Sequence, residues 1–385
     1  MVLKRFQIFK SANFQITNSM LSNNENVKQS IVKLPCPTCS SQLTYSADKQ
    51  KIACGHCGFE RDYDKANNLI KEQSLALAES LKTKYVPKES GKKVIDCQGC
   101  GSKLMIDETE VSVRCNFCGS EKVNEKAYDQ NIIQPQAIIP FKIGKKQAVS
   151  KFKEWINKGW FHPNKLKQLA ALGDLHGIYV PFWTYDSQTY TEWSGEAGYY
   201  YYETERVYEN GQYVSKEVRK TRWEWRSGCF NEFFDDVLIV ASKGLPEKII
   251  SNIYPYRLDE LSNHNPELMV GWEAEIYSLD VKEGYNKAED IMTDKLRERA
   301  RREIGGDTHR NLSIDADFYE QSFKHIILPV WLCTYQYNGK PYQFAVNGQT
   351  GKIKGQKPIS AIKVAILVIF ILAVIIALVM IFSKN

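Results

Sequence analysis

An uninterrupted apolar run, residues 364–382, constrains this chain more than any other feature of its sequence. The run is VAILVIFILAVIIALVMIF, nineteen residues without a charge, a proline or a glycine. A helix of that length covers roughly 28 Å, close to the ~30 Å hydrocarbon core of a bilayer. A core helix of a soluble domain normally keeps a polar edge. We therefore expect a single transmembrane helix that anchors a soluble body by its C-terminal tail.

The charges that flank this run predict its orientation. Four lysines precede it and one follows it: Lys352, Lys354, Lys357, Lys363 and Lys384. Because an excess of Lys and Arg marks the cytoplasmic side, the body is expected in the cytosol, on a cell inner membrane. The N-terminal residues have no continuous apolar segment typical of a signal peptide, and translation starts at either Met1 or Met20.

Eight of the ten cysteines form two copies of one pattern. Each copy is a CxxC pair, fourteen residues and a second CxxC pair, and the second copy lies 61 positions after the first. The two sets are Cys36, Cys39, Cys54 and Cys57, and then Cys97, Cys100, Cys115 and Cys118. Two such turns aim four thiolates at one point, which predicts a closed structural zinc site in each copy. We expect two zinc ribbons and two zinc ions.

Other uses of these cysteines explain the pattern less well. A redox CxxC does not require pairs of pairs, and a disulfide framework does not suit a reducing compartment. A shell of four cysteines leaves no open position for catalysis. His56, between two ligands, is expected to be a turn residue. Since each ribbon is too small for a core of its own, metal removal is expected to unfold residues 35–125 and leave the later body intact.

The chain divides into an α+β multidomain arrangement. The predicted segments are a mobile lead-in at 1–34, zinc ribbon 1 at 35–62, a helical linker at 63–94, zinc ribbon 2 at 95–125, an aromatic-rich α+β body at 135–355 and the transmembrane helix at 364–382. Apolar spacing near Leu69, Leu77 and Leu81 predicts the linker helix. Aromatic residues at 12% and charged residues at 25% are typical of a folded protein.

The body shows signs of internal duplication. Helices are predicted at 145–158, with Ala148, Phe152, Trp155 and Ile156 on one face, and at 286–302, with Ala288, Ile291, Met292, Leu296 and Ala300. Each is followed by a Pro-x-Trp strand, at Pro181 and at Pro329. Asn-Gly pairs at 210–211, 338–339 and 347–348 predict hairpin turns. We expect two halves, about 135–240 and 270–355.

No catalytic constellation is visible in the sequence, so we expect a non-enzymatic protein. P-loop, HExxH and GxSxG motifs are absent. The weaker candidates are Asp174 with His176, the pair Asp235–Asp236, the single cysteines Cys229 and Cys333, an arginine cluster at 297–302, and the aromatic residues Tyr199–Tyr202, Trp223 and Trp225. For each of these, a solvated surface or a core position explains the residues better than a site.

The order of these features resembles a known family. Two four-cysteine ribbons, a Pro-Phe-Trp strand and the segment PVWLCTYQYNGKPYQFAVNGQTGKIKGQKP before a terminal span resemble the bacterial tail-anchored double zinc-ribbon membrane proteins of the YdjG type. Members are often labelled TFIIB-type zinc-ribbon proteins or PriA-like helicases, and the helicase label does not fit a chain without nucleotide-hydrolysis motifs. The resemblance implies a membrane adaptor that works with a soluble SPFH or virion-core-like partner and with phage-shock-type envelope stress proteins.

Three functions remain open at this point. The favoured one is a scaffold that recruits a soluble partner to the membrane. The second is a nucleic-acid binder, although the ribbon turns carry little positive charge apart from Arg114. The third is an enzyme that uses the aromatic-rich body. The net charge of +6 suits an anionic membrane surface or nucleic acid and proves neither.

Overall fold

A computed structural model describes residues 34–64, 70–85, 92–107, 114–126, 130–158, 175–209, 211–337, 340–358 and 360–382. The strands are β1 Leu43–Ser46, β2 Lys51–Cys54, β3 Glu60–Arg61, β4 Gln73–Ser74, β5 Thr83–Tyr85, β6 Lys92–Cys97, β7 Lys103–Asp107, β8 Val123–Lys126, β9 Gln130–Ile132, β10 Ala137–Ile138, β11 His176–Glu209, β12 Gln212–Val240, β13 Ser262–Asn263, β14 Glu273–Ile276, β15 Thr308–Tyr337, β16 Lys340–Asn347 and β17 Ile353–Gly355. The α-helices are α1 Lys145–Asn157, α2 Glu247–Ile250, α3 Val281–Ile304 and α4 Ala361–Phe382, and 3-10 helices cover Leu75–Leu81, Ser251–Ile253, Leu258–Glu260 and Pro266–Met269. The fold is therefore mixed α+β.

One long antiparallel pair, β11 with β15, organises the twelve-stranded main sheet. The pair runs from His176 opposite Leu332 to Gly198 opposite Thr308. β12 lies on the other edge of β11, while β16 and then β17 extend the sheet beyond β15. Two smaller sheets lie apart from it, one of β1, β2 and β3 and one of β5 and β9.

The pair β11–β12 continues beyond the rest of the sheet. β15 begins at Thr308, opposite Gly198, so residues 199–209 pair only with residues 212–222 of β12. At about 3.3 Å per residue this two-stranded extension is roughly 35 Å long. We call it the distal hairpin, because α4 leaves the sheet near β17, at the opposite end of β11. The described residues on both sides of the predicted turn at 210–211 are paired, and Asn210 itself lies outside them.

Two similar runs of elements build the sheet. The first is β10–α1–β11–β12 and the second is β14–α3–β15–β16. β10 pairs in parallel with β15, the second strand of the other run, and β14 pairs in parallel with β11. The first strand of each run therefore pairs with a strand of the other run.

The two runs also share hydrogen bonds at matching positions. Trp183 Nε1 donates to Leu279 O at 2.9 Å, and Trp331 Nε1 donates to Ile143 O at 2.7 Å. Ala241 N donates to Pro181 O at 2.9 Å, and Gly348 N donates to Pro329 O at 2.8 Å. In both runs the tryptophan of the Pro-x-Trp motif thus binds the carbonyl just before a helix. In each case the helix belongs to the other run, so the two Pro-x-Trp motifs make equivalent contacts between the runs.

Helix α3 is longer than the sequence predicted. It begins at Val281, five residues earlier than expected, because Asp280 caps it by accepting from Lys282 N. Gly284 allows close packing on the sheet, since a Cβ there would lie 2.2 Å from Tyr185 Oη. The expected apolar face is buried except for Ile291, which is 38% exposed and is a correction to that prediction.

Three other local predictions differ from the structure. Helix α1 has the predicted bounds to within one residue, but Trp155 is only half-buried. In the predicted linker, residues 65–69 and 86–91 lie outside the described residues, and the part between them contains a 3-10 helix flanked by β4 and β5. β4 pairs with β15, and that pairing replaces the predicted α-helix. The 347–348 turn is a longer loop in which Asn347 Oδ1 accepts from Gln349 N and Thr350 N.

Helix α4 stands apart from the packed body. Its segment Ile362–Phe382 is long and apolar enough to cross a membrane, and none of its most apolar window is buried. Among the described residues, this segment therefore does not pack in the core of the body. The predicted 338–339 turn lies outside the described residues, although the strands beside it are paired.

Candidate metal centres

Each predicted set of four cysteines comes together in space. In ribbon 1, Cys36 Sγ lies 3.4 Å from Cys57 Sγ and Cys39 Sγ lies 3.5 Å from Cys54 Sγ. In ribbon 2 the corresponding sulfur pairs, Cys97 with Cys118 and Cys100 with Cys115, are separated by 3.5 and 3.8 Å. Within each set all four sulfurs lie within 4.8 Å of one another.

These distances fit a tetrahedral metal ion. Zinc–sulfur bonds of about 2.3 Å in a tetrahedron put the sulfurs about 3.8 Å apart. Thiolate is a soft ligand, and a tetrahedral set of four suits zinc or iron–sulfur chemistry. Either cluster could hold a metal ion, and zinc fits the closed geometry with fourteen residues between the pairs. A bound zinc ion would supply crosslinking of the chain, and the cysteines supply the complete shell.

The same turn is built four times. Cys36, Cys54, Cys97 and Cys115 each accept, through the carbonyl oxygen, from the amide four residues later, and each donates through its own amide to the carbonyl five residues later. The residue after the second cysteine has a positive φ in every case: Ser40 57°, Gly58 78°, Gly101 78° and Gly119 73°. Three of the four are glycines because a side chain in this conformation is strained. The turn geometry, not packing, therefore selects these glycines.

Hydrogen bonds within the clusters favour thiolates. Hydrogen bonds from Ser41 lower the pKa of the Cys39 thiol to about 5. In ribbon 2 the hydrogen bond from Cys100 lowers the pKa of Cys115 to about 5, and the same contact raises the pKa of Cys100. The pKa of Cys36 is also lowered, by hydrogen bonds, among them those with the backbone at Thr38 and Cys39. Since the thiolate is the metal-binding form of cysteine, each cluster holds at least one sulfur already suited to capture a metal ion.

Ribbon 1 packs on the body through aromatic side chains. Tyr45 Oη donates to Phe141 O at 3.0 Å, and Trp272 Nε1 donates to Tyr45 O at 3.0 Å. Arg61 binds Glu267 through two bonds of 3.1 and 2.7 Å. The same core cluster contains Cys36, Leu43 and Ile52 of the ribbon together with Phe152 and Trp331 of the body.

Ribbon 2 is part of the main sheet. Its strand β7 pairs with β14 of the body, and β6 and β8 continue the sheet from β7. Phe117, in the turn between Cys115 and Cys118, is fully buried, and its carbonyl accepts from Thr334 and Gln343. Both ribbons therefore contribute to cores that they share with the body.

The turns of the two ribbons differ in exposure. Gly55, His56 and Gly58 of ribbon 1 are exposed, as are Pro37 and Thr38. His56 lies outside the four-sulfur group, as predicted. In ribbon 2 the first turn, with Gln98 and Gly99, is exposed, but the second is covered by the body. Ribbon 1 therefore offers more surface to another molecule than ribbon 2 does.

Besides the two cysteine clusters, three carboxylates come together in a third group, which the sequence indicated only in part. Asp235 and Asp236 lie beside Asp186, with oxygens within 4.8 Å of one another. Lys324 Nζ lies 2.7 Å from Asp236 Oδ1 and 3.1 Å from Glu72 Oε1. The group therefore already contains a cation and forms a structural ion cluster. Asp186 and Lys324 were missed because only the pairing of distant strands brings them to this place.

The other weak candidates from the sequence lie in different parts of the structure and do not form one site. His176 Nδ1 lies 3.3 Å from Glu273 Oε1, at a cleft of about 310 Å³, while Asp174 lies outside the described residues. Cys333 is buried and Cys229 is exposed. In the arginine cluster, Arg297, Arg299 and Arg301 pair with carboxylates, which accounts for a solvated helix face.

Most of the aromatic strand residues lie on the sheet surface, whereas Tyr199 is half-buried against the core that contains α3. Tyr202 is 66% exposed and Trp225 is 68% exposed. Arg219 stacks over Tyr200 at 4.2 Å, and Arg310 stacks over the ring of Trp223 at 4.1 Å. Near the tip of the distal hairpin, Tyr208 and Tyr213 contact each other edge to face and are both exposed. This exposure makes the hairpin a second candidate contact region.

Comparison with known proteins finds a relative of similar length. The chain is 25% identical, over 342 residues, to the uncharacterized protein YdjG of Bacillus subtilis (strain 168), with 87% of this chain and 92% of that protein covered. No protein-family model matches the chain. No solved structure matches it.

Proposed function

We propose that this protein is a non-enzymatic membrane adaptor that holds a soluble protein partner at the cytoplasmic membrane. Helix α4 is the single-pass anchor, in the tail-anchored arrangement that the resemblance implies, and the body lies in the cytosol. The two four-cysteine clusters hold structural zinc ions. An SPFH or virion-core-like protein linked to envelope stress is the class of partner that the resemblance suggests.

The observation that carries the proposal is the separation of two exposed ends. The apolar helix α4 leaves the sheet at the N-terminal end of β11, near β17. The distal hairpin leaves it at the other end of β11, up to 34 residues away, or on the order of 100 Å along the strand. A protein that binds a bilayer at one end and presents exposed aromatic rings at the other suits recruitment, because tyrosine and tryptophan are enriched at binding interfaces.

We further propose that the two β–α–β–β runs arose by duplication. In support, each run supplies its first strand to the other, and the Trp183 and Trp331 side chains bind equivalent carbonyls. Val180 pairs with Leu328, the two residues that precede the matching prolines. A two-fold axis between β11 and β15 would pass at that pair.

Affinity purification of the full-length protein from solubilised membranes tests the adaptor function. We expect a soluble protein partner in stoichiometric amount with the wild-type chain. Serine at four exposed aromatic positions of β11 and β12 should remove the partner: Tyr202, Tyr208, Tyr213 and Trp225. A matched control changes exposed apolar residues elsewhere, Leu77→Ser and Ile291→Ser, and should retain it.

The alternative function, nucleic-acid binding, is favoured by one observation. The arginine–aromatic stacks at Tyr200 and Trp223 lie on an open strand surface of the kind on which unpaired bases stack. Salt-sensitive retention of DNA or RNA in the same purification, with no protein partner, would support this alternative and contradict the adaptor. Retention of a partner by the four-serine variant would exclude the distal hairpin as its binding region.

A further inference from the structure

Helix α1 has one face against the body and one covered with lysines. Phe152 stacks on Phe344 with the ring centroids 3.7 Å apart, and Ala148 and Ile156 are buried beside it. Lys145, Lys146, Lys153 and Lys158 are exposed. Because the apolar face is fixed by this packing, Lys146, Lys153 and Lys158 project from the rest of the helix surface, whereas Lys145 lies at the cleft beside His176 and Trp272.

The C-terminal end of α1 is tied to the segment that leads into α4. Lys357 Nζ donates to Trp155 O at 2.6 Å and to Lys158 O at 3.0 Å, and it lies 4.1 Å above the Trp155 ring. A cation at this position complements the negative end of the helix dipole. The contact fixes where α1 sits relative to the start of the apolar helix.

Chain length then keeps this end of α1 close to the apolar segment. Ile362 begins the apolar segment five residues after Lys357, and five extended residues reach at most about 18 Å. A bilayer that contains α4 therefore has its headgroup layer beside the end of α1. This reach is an upper limit, and a lysine of α1 attracts headgroups appreciably only where it comes within about one Debye length, about 8 Å at physiological salt.

The charge of this region is strongly one-sided. Residues 145–158 and 352–363 together contain nine lysines and one carboxylate, Glu154. Asp48 of ribbon 1 lies at the other end of α1, against Gly144. Lys354 is exposed on the segment that precedes α4, next to the half-buried Lys357. We define the lysine surface as the exposed Lys146, Lys153, Lys158 and Lys354.

We propose that the lysine surface binds the anionic headgroups of the bilayer in which α4 is inserted. The proposal rests on the membrane anchor proposed above and adds a second, lipid-selective contact to it. Basic residues beside a span are attracted to anionic lipids through the negative surface potential of the cytoplasmic leaflet. Here the fold supplies such residues from a distant part of the chain and holds them at the bilayer surface.

Amine labelling of the full-length protein in nanodiscs tests this proposal. One set of discs contains phosphatidylcholine alone and the other contains phosphatidylcholine with phosphatidylglycerol. We expect the lysine surface to be labelled about threefold or more slowly in the anionic discs at low salt, with the difference lost at high salt. Lys216 and Lys220 of the distal hairpin should be labelled equally in both, as measured by mass spectrometry.

Charge removal provides the matched variants. K146Q, K153Q and K158Q together should abolish the slower labelling of Lys354. The control K282Q, K287Q and K295Q removes the same number of charges from helix α3 and should leave the effect intact.

The outcomes separate this proposal from the membrane anchor. Equal labelling in both kinds of disc, whether fast or slow, would overturn anionic lipid binding while leaving the anchor in place. Failure of the protein to enter either kind of disc would overturn the anchor and, with it, this inference. Composition-dependent protection that survives the three-glutamine variant of α1 would assign the lipid contact to another part of the chain.

Discussion

Gly55 and Gly58 lie in the same exposed turn of ribbon 1 but differ in backbone conformation. Gly58 has a φ of 78°, whereas Gly55 is not in the left-handed region, and a Cβ at either position would meet no atom within 4 Å. Gly58→Ala should therefore destabilise the zinc-bound protein by about 1 kcal/mol through backbone strain alone. Gly55→Ala is the matched control and should change little. Chemical unfolding of both variants checks this, and equal effects would contradict the assignment of strain.

His325 gives the body a dependence on pH. Its Nδ1 lies 2.7 Å from Ile133 O, and Nε2 is buried with no hydrogen-bond partner among the described residues. Burial lowers the pKa of His325 to about 4. The unfolded chain binds this proton near pH 6.5, so stability is fully present above that pH and is lost as the pH falls toward 4. One histidine with this shift accounts for a loss of about 3 kcal/mol.

The measurement is the free energy of unfolding in urea across that pH range. His325→Gln keeps a donor for Ile133 but does not titrate, so its stability should fall less steeply between pH 6.5 and 4. His309→Gln, at an exposed position, should follow the wild type. Identical slopes for all three proteins would contradict a buried neutral His325. His264 is half-buried, and desolvation lowers its pKa to about 4 as well, so it contributes a slope that remains in all three proteins.

At the scale of elements, local signals were predictable from the sequence and long-range pairings were not. The cysteine turns, helix α1 and the Asn-Gly hairpin of β11–β12 depend on neighbouring residues, and spacing alone indicated them. The parallel pairs of β10 with β15 and of β14 with β11 join segments more than ninety residues apart. Nothing in a two-residue or four-residue strand indicates its partner. Helix α3 was predicted too short because its start depends on Asp280, a cap outside the apolar pattern.

The two Pro-x-Trp motifs provide a prediction at the same scale. Trp183→Phe and Trp331→Phe keep an aromatic ring but remove the donor to Leu279 O and Ile143 O. Each change should lower the free energy of unfolding by about 1–3 kcal/mol, because a carbonyl before a helix loses its partner. Trp225→Phe, at a position 68% exposed, should change it by less than about 0.5 kcal/mol. Urea unfolding measures all three, and a neutral Trp331→Phe would argue against equivalent roles in the two runs.

At the scale of the whole molecule, the four-cysteine clusters pack into hydrophobic cores that they share with the body. The four-cysteine pattern indicated each cluster correctly, but it carries no information on what surrounds a ribbon. The residues between the cysteines determine how each ribbon packs on the body. Phe117 is fully buried and its carbonyl accepts from Thr334 and Gln343, while Tyr45 bonds to Phe141 O and to the indole of Trp272. Ribbon 2 then joins the main sheet through β7 and β14.

Metal removal should consequently weaken part of the body as well as the ribbons. Binding of a structural metal supplies folding free energy, and β14 is held between β7 of ribbon 2 and β11. Treatment with a chelator should therefore accelerate hydrogen exchange of β14 amides, Glu273–Ile276, together with those of β6 and β7. Amides of residues 190–194 in β11, paired on both sides by β12 and β15, serve as the internal control and should stay protected. Protection of β14 that survives chelation while β6 and β7 exchange freely would show that ribbon 2 unfolds alone, as its small size by itself predicts.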